Sequence, residues 1–384
     1  MVFIEFWPTM PVFKIARTLK KKKNYETVLI SFSKIDNEFF SKAFDKIIIF
    51  ETGDPRMPKN WIFLLKQIFS SKRRKFFDSL KELHPYIVQT TGIDILPMLA
   101  NTQLFKKYPR VYFAYDIWEF YGKKLSFKKY SGRMNYFNKF YEKICMKSSD
   151  GILHKGPEGE LNWLTYGKKL KVPEISFLIY CLDEWLIPPK KKFNKEPHVV
   201  YVGGYFKYWE GHTPFREVVD EIISQKIHFH VYSTNKNKED EDKELLELER
   251  KNKYFHLHSW INADILSKEI SNYDFGIIAD FIDENSVGPL HFKTVSANKI
   301  LSYIESGLPV IINKQFEFMC SILEEDGIGI KIGRGDLKNL NPLIKKIDAN
   351  KMLKNIKKAQ KRLSLSKNIK KYEDFYGRVH NSKN

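Results

Sequence analysis

The chain alternates short, nearly continuous apolar runs with longer stretches in which apolar residues return every three or four positions. In the first half the runs are residues 2–6, 27–32, 47–50, 87–89 and 111–115, rich in Val, Ile, Phe and Tyr. Runs without polar alternation suit strands buried on both faces, and the intervening period is that of amphipathic helices. Strands separated by helices predict a parallel sheet covered on both sides, the doubly wound α/β architecture. The pattern stops at residues 187–197, IPPKKKFNKEP, where prolines and a basic run suit a linker. It then restarts, predicting strands at 198–202, 228–232, 254–257, 275–278 and 309–312, with helices at 215–225, 263–272 and 297–306. One or two Lys-rich helices close the chain over 352–379. The reading is two Rossmann-like doubly wound domains: residues 1–187, a linker at 188–197, and residues 198–350. Closing helices at 351–384 are expected to pack back on the first domain.

Length agrees with that division, since 384 residues suit two domains better than one. Apolar residues make up 43% and aromatics 15%, too much for a disordered chain. No run approaches the roughly 20 apolar residues of a spanning helix. Glu5, Pro8 and Pro11 interrupt what would otherwise read as a signal peptide. The expectation is a cytoplasmic protein. Three widely spaced cysteines, Cys145, Cys181 and Cys320, read as reduced thiols and show no zinc-ligand spacing.

Charge changes the picture because it is uneven. Residues 1–192 carry 35 Lys+Arg against 19 Asp+Glu, and residues 193–384 carry 30 against 27. Such a field attracts phosphate-rich partners, or it reflects a Lys-rich genome. In residues 60–84, Trp61, Leu65, Ile68, Phe69, Phe76 and Leu80 share a helical stripe, interrupted by Lys72, beside the consecutive cations Lys72, Arg73, Arg74 and Lys75. A basic amphipathic helix is what an enzyme docked on the inner membrane face would use, although packing on the first sheet explains the apolar stripe equally well. The acidic run at 239–244 reads as a solvated helix start rather than a metal site.

Two segments carry candidate chemistry. The run VVYVGG at 199–204 places Gly203 and Gly204 directly after a buried strand, where a backbone approaches a bound phosphate closely, or where the chain merely turns. The run SANKILSYIESGLPVI at 296–311 opens a helix, with Ser296 as N-cap, and ends it at Gly307. A helix N-terminus with a nearby Lys suits a diphosphate. Lys299 in the first turn opposes the helix dipole, so either an anion explains it or it is an ordinary surface lysine.

This second run resembles the P-N-K-x-x-E-Y-x-x-x-G-x-P-V-I signature of GT-B glycosyltransferases of the group 1, family-4-like kind. Other segments fall in the family's order: YVGG at 201–204, HSWIN at 258–262, LSKEISNYDFGII at 266–278, residues 85–99, VYFAYDIWE at 111–119, and residues 140–153. The resemblance implies two domains facing a central cleft and transfer of a sugar from a nucleotide-sugar donor to a glycan or lipid-linked hydroxyl, with retention. It implies no cofactor, no metal and no nucleic-acid partner.

Carried over, the resemblance puts the donor against Gly203, Gly204 and Asn298, with the base near Trp260 and Ile261 and the diphosphate near Lys293 and Lys299. Lys207 would stand for the basic residue that follows the glycine loop. The family's paired glutamates fall at Thr294 and Ser302, leaving Ser302 as the ribose contact. Trp118 stands where an acceptor-side histidine is common. Asp94 and Asp116, near strand C-termini, are the acid/base candidates, or they cap helices. A basic polyanion-binding protein and an inactive GT-B partner subunit are the competing functions, along with a sugar-nucleotide epimerase on the same fold.

Overall fold

Both sheets are parallel throughout. The computed structural model describes residues 1–5, 8–50, 71–91, 107–115, 117–120, 132–205, 213–235, 241–282 and 289–383, with backbone alone at 71–73, 132–138 and 289. One unit comprises Met1–Glu119, Arg133–Leu178 and Asn368–Asn384; the other comprises Phe120–Gly132 and Ile179–Lys367.

The first unit holds β1 (Val2–Glu5), β2 (Val28–Ser31), β3 (Lys46–Ile49), β4 (Val88–Thr91), β5 (Arg110–Ala114), β6 (Gly151–His154) and β7 (Glu174–Ser176). Their order is β3-β2-β1-β4-β5-β6-β7, so the direction of winding reverses between β1 and β4. The second unit holds β8 (His198–Val202), β9 (His228–Tyr232), β10 (Phe255–His258), β11 (Phe275–Ile278), β12 (Val310–Asn313) and β13 (Gly329–Ile332), ordered β10-β9-β8-β11-β12-β13. Its reversal lies between β8 and β11. Such reversals open a crevice at the C-terminal ends of the strands, where open α/β sheets bind ligands.

The apolar runs predict the central strands closely: β8, β9 and β11 span the expected residues. The periodicity leaves out β6, which only the family resemblance at 140–153 marks, and also β7 and β13. β7 and β13 are edge strands, three and four residues long, with Glu174 and Lys331 exposed, so neither is a continuous apolar run.

The passage between units falls between Leu178 and Ile179, ahead of the proline-rich stretch. That stretch is tied down within the second unit. Asp274, 1% exposed, accepts from the backbone N–H groups of Asn194 and His198, from the Asn194 amide and from Lys190. The closing residues divide. The helix Ala349–Arg362 lies in the second unit, where the Gln360 amide donates to the carbonyls of Ile187 and Ile304. From Asn368 onward the helix Leu365–Asn381 belongs to the first unit and lies so close to β6 that a Cβ on Gly151 would come 2.4 Å from Val379.

Two sequence readings change. In the helix Ser71–Leu83, Phe76, Phe77 and Leu80 are buried, and the Phe76 ring sits 5.6 Å from Phe32 and 5.9 Å from Phe50. The phenylalanines beside the basic residues therefore serve the core and leave Arg74 and Lys75 exposed as charge alone. In the acidic run, Asp242 does cap the helix Lys243–Lys251. Glu241, however, is buried and accepts from the Tyr205 and Ser233 hydroxyls and the Asn235 amide, so it braces a loop rather than facing water.

One face of β8, β9 and β10 carries five of the chain's ten histidines. His198 Nδ1 lies 2.9 Å from His230 Nε2, and His230 Nδ1 lies 3.1 Å from His258 Nε2. Beside this row, His228 Nδ1 lies 3.0 Å from His256 Nε2, with Glu196 3.3 Å from the other His228 nitrogen. Each link needs one ring to donate and the next to accept, which neutral imidazoles do. Burial, reinforced by the neighbouring imidazoles, lowers the pKa values of His198, His230 and His256, that of His230 to about 2.

Candidate functional site

The reversal point of the second unit gathers the residues singled out in its two motifs. β8 ends at Val202, and Gly203 follows with φ +127°, a conformation that L side chains rarely adopt. Its N–H bonds to the Tyr232 carbonyl at 2.9 Å, and the Gly204 carbonyl accepts from the Tyr201 hydroxyl at 2.7 Å, so the turn is anchored on both sides.

Facing the turn is the helix Asn298–Glu305. Lys299 extends from its first turn so that Nζ lies 3.8 Å from where a Cβ on Gly203 would sit. The ammonium donates to the Tyr201 hydroxyl at 3.1 Å, lies 4.3 Å from the centre of that ring, and sits 3.5 Å from Asp280 Oδ2. Lys299 is thus a held cation, not a free surface lysine. Asp280, just beyond β11, and Tyr201 fix its place. Burial and the Asp280 charge push the Tyr201 hydroxyl well above its ordinary pKa, keeping it protonated beside the ammonium.

Packing sets the helix. Gly276 on β11 leaves room for the Tyr303 ring, whose Cγ would lie 2.2 Å from a Cβ there. The buried Tyr303 hydroxyl accepts from Val202 N–H and donates to the Ile277 carbonyl, both at 3.0 Å, joining the helix to both strands of the crevice. At the far end Gly307, φ +73°, closes the helix against the Ile187 carbonyl, and Glu305 accepts from Leu182 N–H. The helix ends where the sequence predicts.

Its start differs. The N-cap is Ala297, whose N–H meets Met319 Sδ at 3.3 Å, and Ser296 is fully buried with an unpartnered hydroxyl. Ser296 therefore caps nothing. The Asn298 side-chain oxygen is also buried and unpartnered, at the mouth of the helix. Ser302 turns its hydroxyl back to the Asn298 carbonyl at 3.4 Å. Lys293 is exposed on the helix Pro289–Thr294.

Trp260 and Ile261 follow β10, two strands from the crevice but on the same C-terminal edge. Between them and the glycines runs a shelf. Thr234 lies 3.6 Å from a Cβ built on Gly204, and the Asn235 carbonyl accepts from Trp260 N–H at 3.2 Å. Trp260 is 40% exposed, an indole face turned partly to solvent. Asp94, Asp116 and Lys207 lie outside the described residues. Sequence reasoning passed over Tyr201, Asp280 and Tyr303. Their signal was position: a tyrosine and an aspartate at the ends of the two strands flanking the reversal, and a tyrosine one helical turn after Lys299.

Two parallel-sheet units that each reverse direction make up the GT-B architecture. The comparisons agree. Residues 211–372 match the family model described as Glucosyltransferase 3-like, C-terminal domain. Among solved structures, sucrose-phosphate synthase from Thermosynechococcus elongatus is similar at 11% identity and TM-score 0.68, over 99% of each chain. The Anabaena protein HepE, solved in complex with UDP-glucose, is similar at 13% identity and TM-score 0.64, over 97% of this chain and 99% of that one. A glycosyltransferase from Rickettsia africae is similar at 12% identity and TM-score 0.64, over 98% of each. No curated protein matches the sequence. By fold the chain has the two-domain GT-B architecture, and its residues 211–372 are similar to a glycosyltransferase domain.

Proposed function

We propose that the second unit binds a nucleoside diphosphate sugar, UDP-linked by analogy with HepE, and that the enzyme transfers a hexose to a hydroxyl of a glycan or lipid-linked acceptor. The observation that carries the donor site is Lys299, held by Tyr201 and Asp280 against a turn whose two glycines carry no Cβ. The diphosphate would lie between that ammonium and the amides of Asn298 and Lys299, which come before the first hydrogen bond of the helix, from Ile300 N–H to the Ala297 carbonyl. The same groups would offset the charge of the departing nucleotide, supporting transfer that needs no divalent metal. The uridine would extend along the shelf towards Trp260 and Ile261, with ribose hydroxyls donating to the free Asn298 oxygen in place of the family's carboxylate. Retention of configuration and action at the inner membrane face belong to the same reading, Arg74 and Lys75 supplying attraction to anionic lipid.

Thermal shift with UDP, UDP-glucose, GDP and ADP tests the donor site. A bound nucleotide at a hundredfold excess over its Kd stabilises by about 2.7 kcal/mol. Absence of a shift with every nucleotide would overturn the proposal. A second reading, a partner subunit that binds donor without turning it over, is favoured by Ser302, whose hydroxyl is committed to its own helix. UDP release from UDP-glucose separates the two: binding without release selects the inactive partner.

A further inference from the structure

The helix Ala349–Arg362 of the second unit has two opposed faces. Its five lysines, Lys351, Lys354, Lys357, Lys358 and Lys361, are all exposed. At the roughly 100° step of an α-helix they fall within an arc of about 120°, over a length of about 15 Å. Leu353, Ile356, Ala359 and Gln360 are buried on the other side. There the Gln360 amide donates to the carbonyls of Ile304 and Glu305, at the end of the helix that carries Lys299. The element that backs the candidate donor helix therefore presents a stripe of charge to solvent.

The stripe is of one sign. The helix has no acidic residue, and among the described residues none of the five lysines makes an ion pair. Lys351 stands in the first turn, against the helix dipole. Lys351 and Lys354, like Lys354 and Lys358, are spaced so that like charges repel along the helix, and Lys357 and Lys361 repeat the pattern. A Lys-rich composition alone does not produce this, because other exposed helices of the same unit mix the signs: Lys251 pairs with Glu247, and Arg216 with Asp220. An arrangement that costs the free protein stability is offset by an anionic surface laid against it.

We propose that this lysine stripe docks the second unit on an anionic phospholipid bilayer. The side chains select that partner. Lysines are compact, hydrated point charges, suited to a diffuse layer of headgroups. Arg362, the one guanidinium on the helix, is engaged by Glu325 and Asp326 instead. No aromatic residue lies on the helix to stack a nucleic-acid base, and its apolar residues Leu353 and Ile356 face inward, so no apolar anchor of the kind protein interfaces use stands on the stripe. The contact is electrostatic, without insertion. It lies on the other unit from Arg74 and Lys75, and it does not depend on the donor reading.

Flotation of the full chain with vesicles of phosphatidylcholine, with and without phosphatidylglycerol, tests the docking. The wild type should float with the anionic vesicles alone and be released by high salt. The triple variant Lys354→Gln, Lys357→Gln, Lys358→Gln should lose on the order of a hundredfold in affinity. The same three positions changed to Arg should keep it. A control that removes equal charge elsewhere, Lys168→Gln, Lys169→Gln, Lys171→Gln, should stay within about threefold of wild type, since separated charges are screened. No flotation of the wild type with anionic vesicles, or equal losses in the two Gln triples, overturns the proposal. Tighter binding to a single-stranded RNA than to the vesicles, lost in the same stripe variant, also overturns it and assigns the stripe to nucleic acid. Thermal shift with UDP on each variant keeps the donor reading separate: its failure would leave the flotation result standing.

Discussion

The two units carry the same crevice and arm it in opposite ways. In the second, the charged group is compensated: Lys299 lies 3.5 Å from Asp280 and donates to Tyr201, so its position costs little and is fixed before any ligand arrives. In the first, Glu5 is buried, accepts from Thr9 N–H and lies against the Thr9 and Thr91 hydroxyls, and burial holds it neutral. The difference teaches that one fold can keep a charge at its crevice by pairing a cation, and remove one by burying an acid. The first arrangement costs little stability; the second costs stability once pH rises above the ordinary carboxylate range.

Replacing Glu5 sharpens this contrast most. Its folded pKa lies above the unfolded value, so the folded state holds the proton more tightly and stability is lost as pH rises from about 4.5 to about 8. Glu5→Gln removes that loss and should stabilise the protein by about 4 kcal/mol at pH 8, measured by denaturant unfolding. An unchanged midpoint would mean that Glu5 is already solvated. Lys299→Met comes next: losing a charge-assisted contact to diphosphate should cost about 2 kcal/mol, a roughly thirtyfold weaker UDP affinity by calorimetry, with little change in fold. Equal affinities would place the donor elsewhere and end the comparison.

The histidine rows give a third effect, confined to the second unit and opposite in sign. The folded pKa values of His198, His230 and His256 are lowered, so the unfolded chain binds more protons and stability falls as pH drops below about 6.5. Each histidine kept neutral contributes a slope of about 1.4 kcal/mol per pH unit. Hydrogen exchange should show β8, β9 and β10 opening at acid pH before the first sheet. Simultaneous opening would mean that the units are not independent. The smallest effect concerns the exposed charge of the first unit. Neutralising Arg74 and Lys75 should reduce flotation with anionic liposomes by about 1 kcal/mol per charge, and neutral liposomes should not bind.

The donor crevice was legible because its signals are local. A strand followed by paired glycines and a helix ending in Ser-Gly-Leu-Pro need no tertiary knowledge, and both stand where the periodicity puts them. Asp280 and Tyr201 were not legible as partners of Lys299, because they lie 19 and 98 positions from it and only the strand order brings them together. Glu5 reads in sequence as an interruption of an apolar run; its meaning comes from Thr91 on a strand that becomes its neighbour only on folding. Phe76 and Phe77 misled in the other direction, since a basic stripe beside aromatic residues looks the same whether the rings face lipid or a sheet.

The histidine rows were half visible. His228-Phe-His230 and His256-Leu-His258 repeat with a period of two, marking one face of each strand. On the opposite face lie Phe229, Val231, Phe255 and Leu257, all in the apolar core. A slip of either strand by one residue would bury the imidazoles in that core and turn the core side chains outward. His230 is bonded through both nitrogens, so the tautomers of the His198–His230–His258 row must all point the same way, and reversing one reverses every link. In the native register a single line of protons therefore runs unbroken across three strands, and a one-residue slip breaks it.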